Sequence, residues 1–273
     1  MSRRSNSIAL HAALIAGGIV TLFPLLWMVS ASFMASGEAV TFPPHLVPKI
    51  PTLDQYRQLF VRLNLGQAFF SSSIVSIAVT LFSLLFNSMA GYAFAKLRFQ
   101  GRERLFGLLL SALVIPAQVG MLPLFLMMKT LHLVNTYWGV IIPSLASVFG
   151  IFLIRQFMLS VPQELLEAAR IDGAGEFRIY WSVILPLARP ILATLAIFTF
   201  MTTWNDFMWP LIVLSGQSHY TLPVSIASLV GEHAQDVELM MAGSVVTVLP
   251  VLLLFLMLQR YYIAGLMVGS VKG

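Results

Sequence analysis

Six runs of predominantly apolar residues, at about 8–33, 68–93, 104–128, 137–158, 188–214 and 239–261, alternate with shorter polar stretches. Each is long enough for a helix of roughly 20 residues to cross the hydrocarbon core of a bilayer. Backbone N–H and C=O groups find no partner in lipid, so these runs are predicted to be helices despite their Val and Ile content. The pattern predicts an all-α polytopic membrane protein: a bundle of six transmembrane helices forming one integral domain over 1–273, with no internal repeat. The first run follows Arg3 and Arg4, as a secretory signal would. Its uncharged length of about 25 residues exceeds the 7–15 of a signal's core and no small-x-small cleavage site follows, so an uncleaved helix is expected.

Composition sharpens the class. With 58% hydrophobic and 10% charged residues and a mean hydropathy of +0.87, the chain falls far from soluble domains, whose charged share is about 25%. There is no cysteine, which excludes disulfides, thiolate metal sites and a Cys nucleophile. His11, His45, His132, His219 and His233 are scattered, no pair has zinc-ligand spacing, and no metal site is expected. The net charge of +5 comes from basic residues beside apolar runs, which suits a lipid bilayer and not nucleic acid. With the N-terminus in the cytoplasm, twelve basic residues fall inside (Arg3, Arg4, Lys96, Arg98, Arg102, Arg104, Arg155, Arg170, Arg178, Arg189, Arg260 and Lys272) and four outside (Lys49, Arg57, Arg62 and Lys129). Basic residues are retained on the cytoplasmic side, so both termini are placed there. Outside, Thr52 is predicted to cap a short helix through Tyr56 and Phe60, lying along the membrane surface.

The polar stretch 159–187 is then a cytoplasmic loop of unusual character. Ser160 and Gln163 have capping-box spacing, Glu164 to Arg170 are helix formers, and Gly173 can supply a left-handed stop. A second helix from Gly175 to Ile184 would place Phe177, Tyr180, Trp181 and Ile184 on one face. Charges of both signs surround these apolar anchors: Glu164, Glu167, Arg170, Asp172, Glu176 and Arg178. Such a loop either rests on lipid headgroups, its aromatics acting as interfacial anchors, or fits a groove on a protein in water; its mixed charge favours the groove.

The order Glu167-Ala168-Ala169, three residues, Gly173, nine residues, Val183, one residue, Leu185-Pro186 resembles the coupling loop of permease subunits in ATP-binding-cassette (ABC) importers, with Val183 where Ile is usual. The likeness extends to Asn87–Phe99, Ile115–Gln118, Trp204–Pro210, Gln259–Leu266 and Gly269–Gly273, which resemble the shorter six-span partner of maltose-type, carbohydrate-uptake permeases. This resemblance implies a type I importer fold and a bacterial or archaeal inner-membrane location. The implied partners are a second permease subunit forming a heterodimer, two ATP-binding cassette subunits, an extracytoplasmic solute-binding protein and a sugar. It also implies that Glu167, Ala168, Ala169, Arg170, Asp172, Gly173, Phe177, Leu185 and Pro186 sit at the junction with the ATPase, with Glu167 holding contacts that order the loop. No G-x-x-x-x-G-K-[ST] run occurs, so ATP and Mg are expected on the partner and no cofactor in this chain.

Within the spans, Asp206 is the ionisable side chain well inside the fifth run, where a charge costs about 2.5–3.5 kcal/mol on insertion scales. Thr202, Asn205, Asp206 and Trp209 fall on one face of a continuous helix, with Thr203 and Trp204 adjoining. That face offers hydroxyl partners and an aromatic plane to a sugar, or else it joins helices and marks the interface belt. Pro116, Gln118, Gly120 and Pro123 interrupt the third run as a hinge or gate, or as a proline kink. Gln118 is the pathway candidate there. Asn87, Ser88 and Gly91 read as a packing face, and the methionines as core filler. No catalytic residue is expected: the spans lack a nucleophile–base pair and paired carboxylates. An ion-coupled secondary transporter would need more embedded carboxylates than Asp206. Di- or oligosaccharide, polyol and glycerol phosphate systems share the permease pattern. The absence of Lys or Arg in the interior of the spans favours a neutral sugar.

Overall fold

The computed structural model describes residues 2–62, 64–232 and 236–268, with side chains over 10–61, 64–228 and 236–257. His233 and the motif Gly269–Gly273 lie outside the described residues. The helices, in chain order, begin with α1 (Ser2–Ala31), α2 (Asp54–Arg62), α3 (Leu65–Lys96), α4 (Arg102–Ser111), α5 (Ala117–Thr130), α6 (Tyr137–Ile141) and α7 (Val148–Leu159). They continue with α8 (Gln163–Ile171), α9 (Glu176–Ile179), α10 (Leu185–Leu187), α11 (Arg189–Trp204), α12 (Met208–Val213), α13 (Leu222–Glu232) and α14 (Val237–Val268). No strand occurs among the described residues. Among the described residues, four helices are long and apolar enough to cross a membrane, or up to six when each of two bent pairs is counted as one span.

The chain divides into two compact units, Met1–Gly66 with Leu222–Pro250, and Gln67–Thr221 with Val251–Gly273. In the first, Ala31, Met34 and Ala39 form a small core with Trp27, Val237 and Met241. Thr52 Oγ1 accepts the Asp54 N–H at 3.1 Å and so starts α2, as the sequence predicts. The loop before α2 is pinned by carboxylates, because Ala39 N–H donates to the buried Glu238 at 2.6 Å and Lys49 N–H to Glu38 at 2.7 Å. The Lys49 N–H first, together with the Ala35 N–H, holds Glu38 below the usual carboxylate range.

In the second unit, α3 buries a face of small polar residues, including Ser76, Ser83, Asn87 and Ser88. Small side chains let helices approach closely where apolar burial gives no preference over lipid. A Cβ at Gly91 would lie 2.6 Å from Ile154 Cγ2, so glycine is needed for α3 to meet α7. Asn87 Oδ1 accepts the Ser147 N–H at 2.9 Å, and Ser147 Oγ in turn accepts the Gly150 N–H at 2.9 Å, capping α7. Asn87, Ser88 and Gly91 therefore act as the packing face the sequence suggests.

Two spans depart from continuous helices. The third turns by 104° between the helical stretches Arg102–Val114 and Ala117–Thr130. Ile115 is extended, as the residue before Pro116 must be, and Pro123 sits inside α5 without ending it. The fifth stops at Trp204, with Asn205 closing α11, and resumes as α12. Asn and Asp compete with the helical backbone for hydrogen bonds, which accounts for this break.

Candidate functional site

The polar loop folds as a helical hairpin. α8 starts at Pro162 without a side-chain cap, and Ser160 instead closes the preceding helix, its Oγ donating to Phe157 O at 2.7 Å. The expected capping box at Ser160 is therefore not formed. Gly173 does supply the stop, at φ +80°. Ala174 N–H donates to Ala169 O at 2.9 Å and Gly173 N–H to Arg170 O at 3.0 Å, the paired bonds of a Schellman motif. A left-handed φ disfavours any residue with a Cβ, so this reversal depends on glycine.

The second arm, Glu176 to Leu187, contains a π-helical turn over Tyr180–Ile184. This turn overrides the predicted single face. Ile179, Tyr180 and Ile184 are buried, whereas Phe177 and Trp181 point out, with ring centroids 6.4 Å apart. A π turn adds a residue to the cycle, so positions four apart on the sequence no longer line up with those seven apart. The inward residues join Leu166, Val161, Tyr92, Ile154, Met158, Ala188, Ile191 and Leu195 in one core. Ala169 packs against this core, while Ala168 is exposed. The arm then bends by 79° at Ala188, where Pro190 opens α11. Leu185 is half-buried, and Pro186 is exposed just before the bend.

Polar bonds fasten the hairpin to α3. Tyr92 Oη donates to Glu176 Oε2 at 2.7 Å, and Arg170 Nε donates to Glu176 Oε1 at 2.8 Å across the Gly173 turn. The Arg170 guanidinium first, and the Tyr92 hydroxyl second, hold the Glu176 carboxyl below the usual carboxylate range. The Ser88 and Tyr180 hydroxyls lie 2.7 Å apart, and Lys96 Nζ donates to Val161 O at 2.6 Å. Glu167 is exposed and carries no hydrogen bond or ion pair among the described residues, while Glu176 makes the bonds that order the hairpin against α3. Sequence reading missed Glu176, Tyr92, Tyr180 and Lys96 in this role. The available signal was the opposite charge of Arg170 and Glu176 flanking the glycine. On the outer side, Ile171 (86% exposed) and Phe177 (67% exposed), with Leu165 and Trp181, leave an apolar patch uncovered. Glu167, Asp172 and Arg178 lie exposed around it.

A cavity of about 410 Å³ lies between α3, the α6–α7 segment and the end of α11. It is lined by Val79, Ser83, Val140, Pro143, Ser144, Ala146, Ser147, Thr199, Thr202, Thr203 and Asp206. Of the face expected for a continuous helix, Thr202 and Asp206 line this cavity, joined by Thr199 and Thr203, whereas Asn205 and Trp209 do not, because α11 ends at Trp204. Asp206 Oδ1 also accepts the Trp209 N–H at 3.4 Å. Trp209 is buried in a separate core, its indole Nε1 donating to Gly139 O at 3.1 Å, so it is removed from the proposed pathway. Asn205 donates to Met201 O at 2.8 Å and lines a second, apolar cavity of about 400 Å³ with Thr202, Ile197, Phe198, Met201 and Phe255. Gln118 is exposed near the bend of the third span and joins neither cavity.

A membrane chain whose described residues form helices and no strand, with a hairpin fastened to α3 and a hydroxyl-lined cavity beside α3 and α11, is built as a transport subunit. Residues 88–267 match the family described as "Binding-protein-dependent transport system inner membrane component". The arabinooligosaccharides transport system permease protein AraQ of Halalkalibacterium halodurans is 43% identical over 257 residues, covering 93% of this chain and 92% of that one. The lactose transport system permease protein LacG of Rhizobium radiobacter is 32% identical over 276 residues, covering 100% of this chain and 98% of that one. A chain in the crystal structure of a bacterial ABC transporter involved in the import of the acidic polysaccharide alginate is 26% identical, with a TM-score of 0.82 over 96% of this chain and 99% of its own. The chain belongs to the binding-protein-dependent transport inner membrane component family: it is the permease subunit of an ABC importer, and not an enzyme.

Proposed function

We propose that this chain, paired with a second permease subunit, imports a neutral di- or oligosaccharide, driven by two ATP-binding cassette subunits and supplied by an extracytoplasmic solute-binding protein. The observation that carries the reading is the α8–α9 hairpin. It presents Ile171, Phe177 and Trp181 to a partner while Tyr92, Ser88 and Lys96 tie it to α3. A push on the exposed face is delivered to α3, α7 and α11 through one shared core, so closure of the ATPase dimer biases the spans between outward and inward openings. Glu167, Ala168, Asp172 and Pro186 lie on the exposed side of the same hairpin, where an ATPase cleft reaches them. The excess of basic residues supports a cytoplasmic location for this face and both termini, in a bacterial or archaeal cell.

The substrate class rests on the cavity at Asp206. Ser83, Ser144, Ser147, Thr199, Thr202 and Thr203 offer hydroxyls, Asp206 offers a strong acceptor, and no Lys or Arg lines it. A hydroxyl-rich neutral ligand matches that lining, whereas a phosphate or uronate would meet Asp206 without a counter-charge. ATP and Mg belong to the cassette partners. In a test with purified complex in liposomes, neutral oligosaccharides presented by the binding protein stimulate ATP hydrolysis and sugar phosphates do not. If no ATPase co-purifies in mild detergent, or if only anionic sugars stimulate it, this reading is wrong.

A further inference from the structure

The connection from α3 to α4 gathers charge that neither the hairpin nor the cavity uses. A cleft of about 640 Å³ opens there between Arg98, Phe99, Gly101, Arg102, Glu103 and Arg104. Its carboxylate is already neutralised: Glu103 takes Arg102 Nη2 at 2.8 Å on one oxygen and Arg155 Nη2 at 3.3 Å on the other. Arg102 also donates Nη1 to Leu97 O at 3.1 Å, and the Arg155 guanidinium sits 4.0 Å over the Phe106 ring. Arg98 and Arg104, by contrast, are exposed and make no hydrogen bond or ion pair among the described residues. Two uncommitted guanidinium groups on one cleft suit an anion that offers several oxygens. Phe99 gives the cleft an apolar rim at 42% exposure, and Leu105 and Leu108, further along α4, are exposed at 51% and 70%. A free anion has no use for such a rim. An anion tethered to acyl chains does, and the end of a membrane-spanning helix is where its headgroup lies.

We propose that this cleft holds the headgroup phosphate of an anionic phospholipid in the cytoplasmic leaflet, with Arg98 and Arg104 as its charge partners and Phe99, Leu105 and Leu108 against the acyl chains. The site is independent of which solute is carried and of how the ATPase docks. Each basic residue facing an anionic headgroup contributes about fivefold in affinity, so losing both is worth about thirtyfold.

The test titrates phosphatidylglycerol into the delipidated, detergent-solubilised transport complex, read by native mass spectrometry, with phosphatidylcholine and inorganic phosphate as separate arms. Wild type binds phosphatidylglycerol over phosphatidylcholine. Arg98→Gln/Arg104→Gln weakens phosphatidylglycerol binding about thirtyfold and leaves phosphatidylcholine unchanged, while Arg98→Lys/Arg104→Lys, which keeps the charge, retains most of the preference. Equal phosphatidylglycerol binding by wild type and the Gln variant overturns the proposal, as does inorganic phosphate binding as tightly as the lipid. Loss of the ATPase subunits from the Gln variant also overturns it, since the cleft would then be a protein interface. Should the double Gln variant fail to assemble, Arg98→Gln alone must show a loss of about fivefold.

Discussion

Gly173 offers the cleanest perturbation of the hairpin, because the structure separates backbone conformation from side-chain crowding there. At φ +80° a Cβ would meet no atom within 4 Å, so a substitution costs only the strain of the left-handed conformation. That strain is about 1–2 kcal/mol for a residue with a Cβ, and more for a β-branched one. The Schellman bonds from Ala174 and Gly173 compete directly with relief of this strain, so the population holding the intact turn falls about fivefold for Gly173→Ala. For Gly173→Val the fall is about thirtyfold or greater. Asn tolerates this region, and Gly173→Asn is expected within a few-fold of wild type. The assay is ATP hydrolysis stimulated by substrate-loaded binding protein in proteoliposomes, with uptake measured in parallel and subunit stoichiometry checked. The order Gly, Asn, Ala, Val in coupling follows from the geometry. Wild-type coupling by the Val variant with assembly intact would refute the reasoning, and Asn as damaging as Val would show that a side-chain contact, not the turn, is being disturbed.

Other consequences of the structure can be checked separately. Glu176 has a depressed folded-state value, so its contribution is present in full above the ordinary carboxylate value of 4.5 and is lost as the pH falls through the folded value below that. The difference in melting temperature between wild type and Glu176→Gln should therefore shrink on acidification. The half-exposed Arg170–Glu176 pair limits its share of that difference to about 1 kcal/mol. Gly91→Ala forces a Cβ to 2.6 Å from Ile154 and 3.0 Å from the Arg155 N, destabilising by about 1–3 kcal/mol in a thermal melt, with partial rescue by Ile154→Ala. Asp206→Asn removes a charged acceptor worth about 1.5–3 kcal/mol to a bound hydroxyl, so transport should need at least about tenfold more sugar while assembly is unaffected. An unchanged concentration dependence would remove Asp206 from the pathway.

The legibility of the chain followed the range of the forces involved. The Gly173 stop and the Thr52 start of α2 are local signals, and both stand in the structure as read. The π turn at Tyr180–Ile184 was not legible, because a 3.6-residue periodicity has no means of announcing an extra residue that tertiary packing of Ile179, Tyr180 and Ile184 selects. The end of α11 was legible in principle: Asn205 and Asp206 are poor helix continuers, but the long apolar run outweighed them. The helix-joining side of Trp209 is not legible in the sequence, because its partner, Gly139 O, lies 70 residues away in the chain. The role of Glu176 is not legible locally, since the Tyr92 hydroxyl that selects it arrives from α3, 84 residues earlier.

The account rests on the exposed face of the α8–α9 hairpin being the surface through which the ATPase subunits act. The direct test is co-purification of those subunits, with stimulated ATP hydrolysis, by Ile171→Asp/Phe177→Asp, a change on exposed side chains of which Phe177 keeps a tilted ring contact with the buried Tyr180, 6.5 Å between centroids. Burying such side chains is worth about 1–2 kcal/mol each, so the variant should retain its fold and its partner permease while losing most bound ATPase. Full ATPase stoichiometry with undiminished stimulated hydrolysis in that variant would contradict the account.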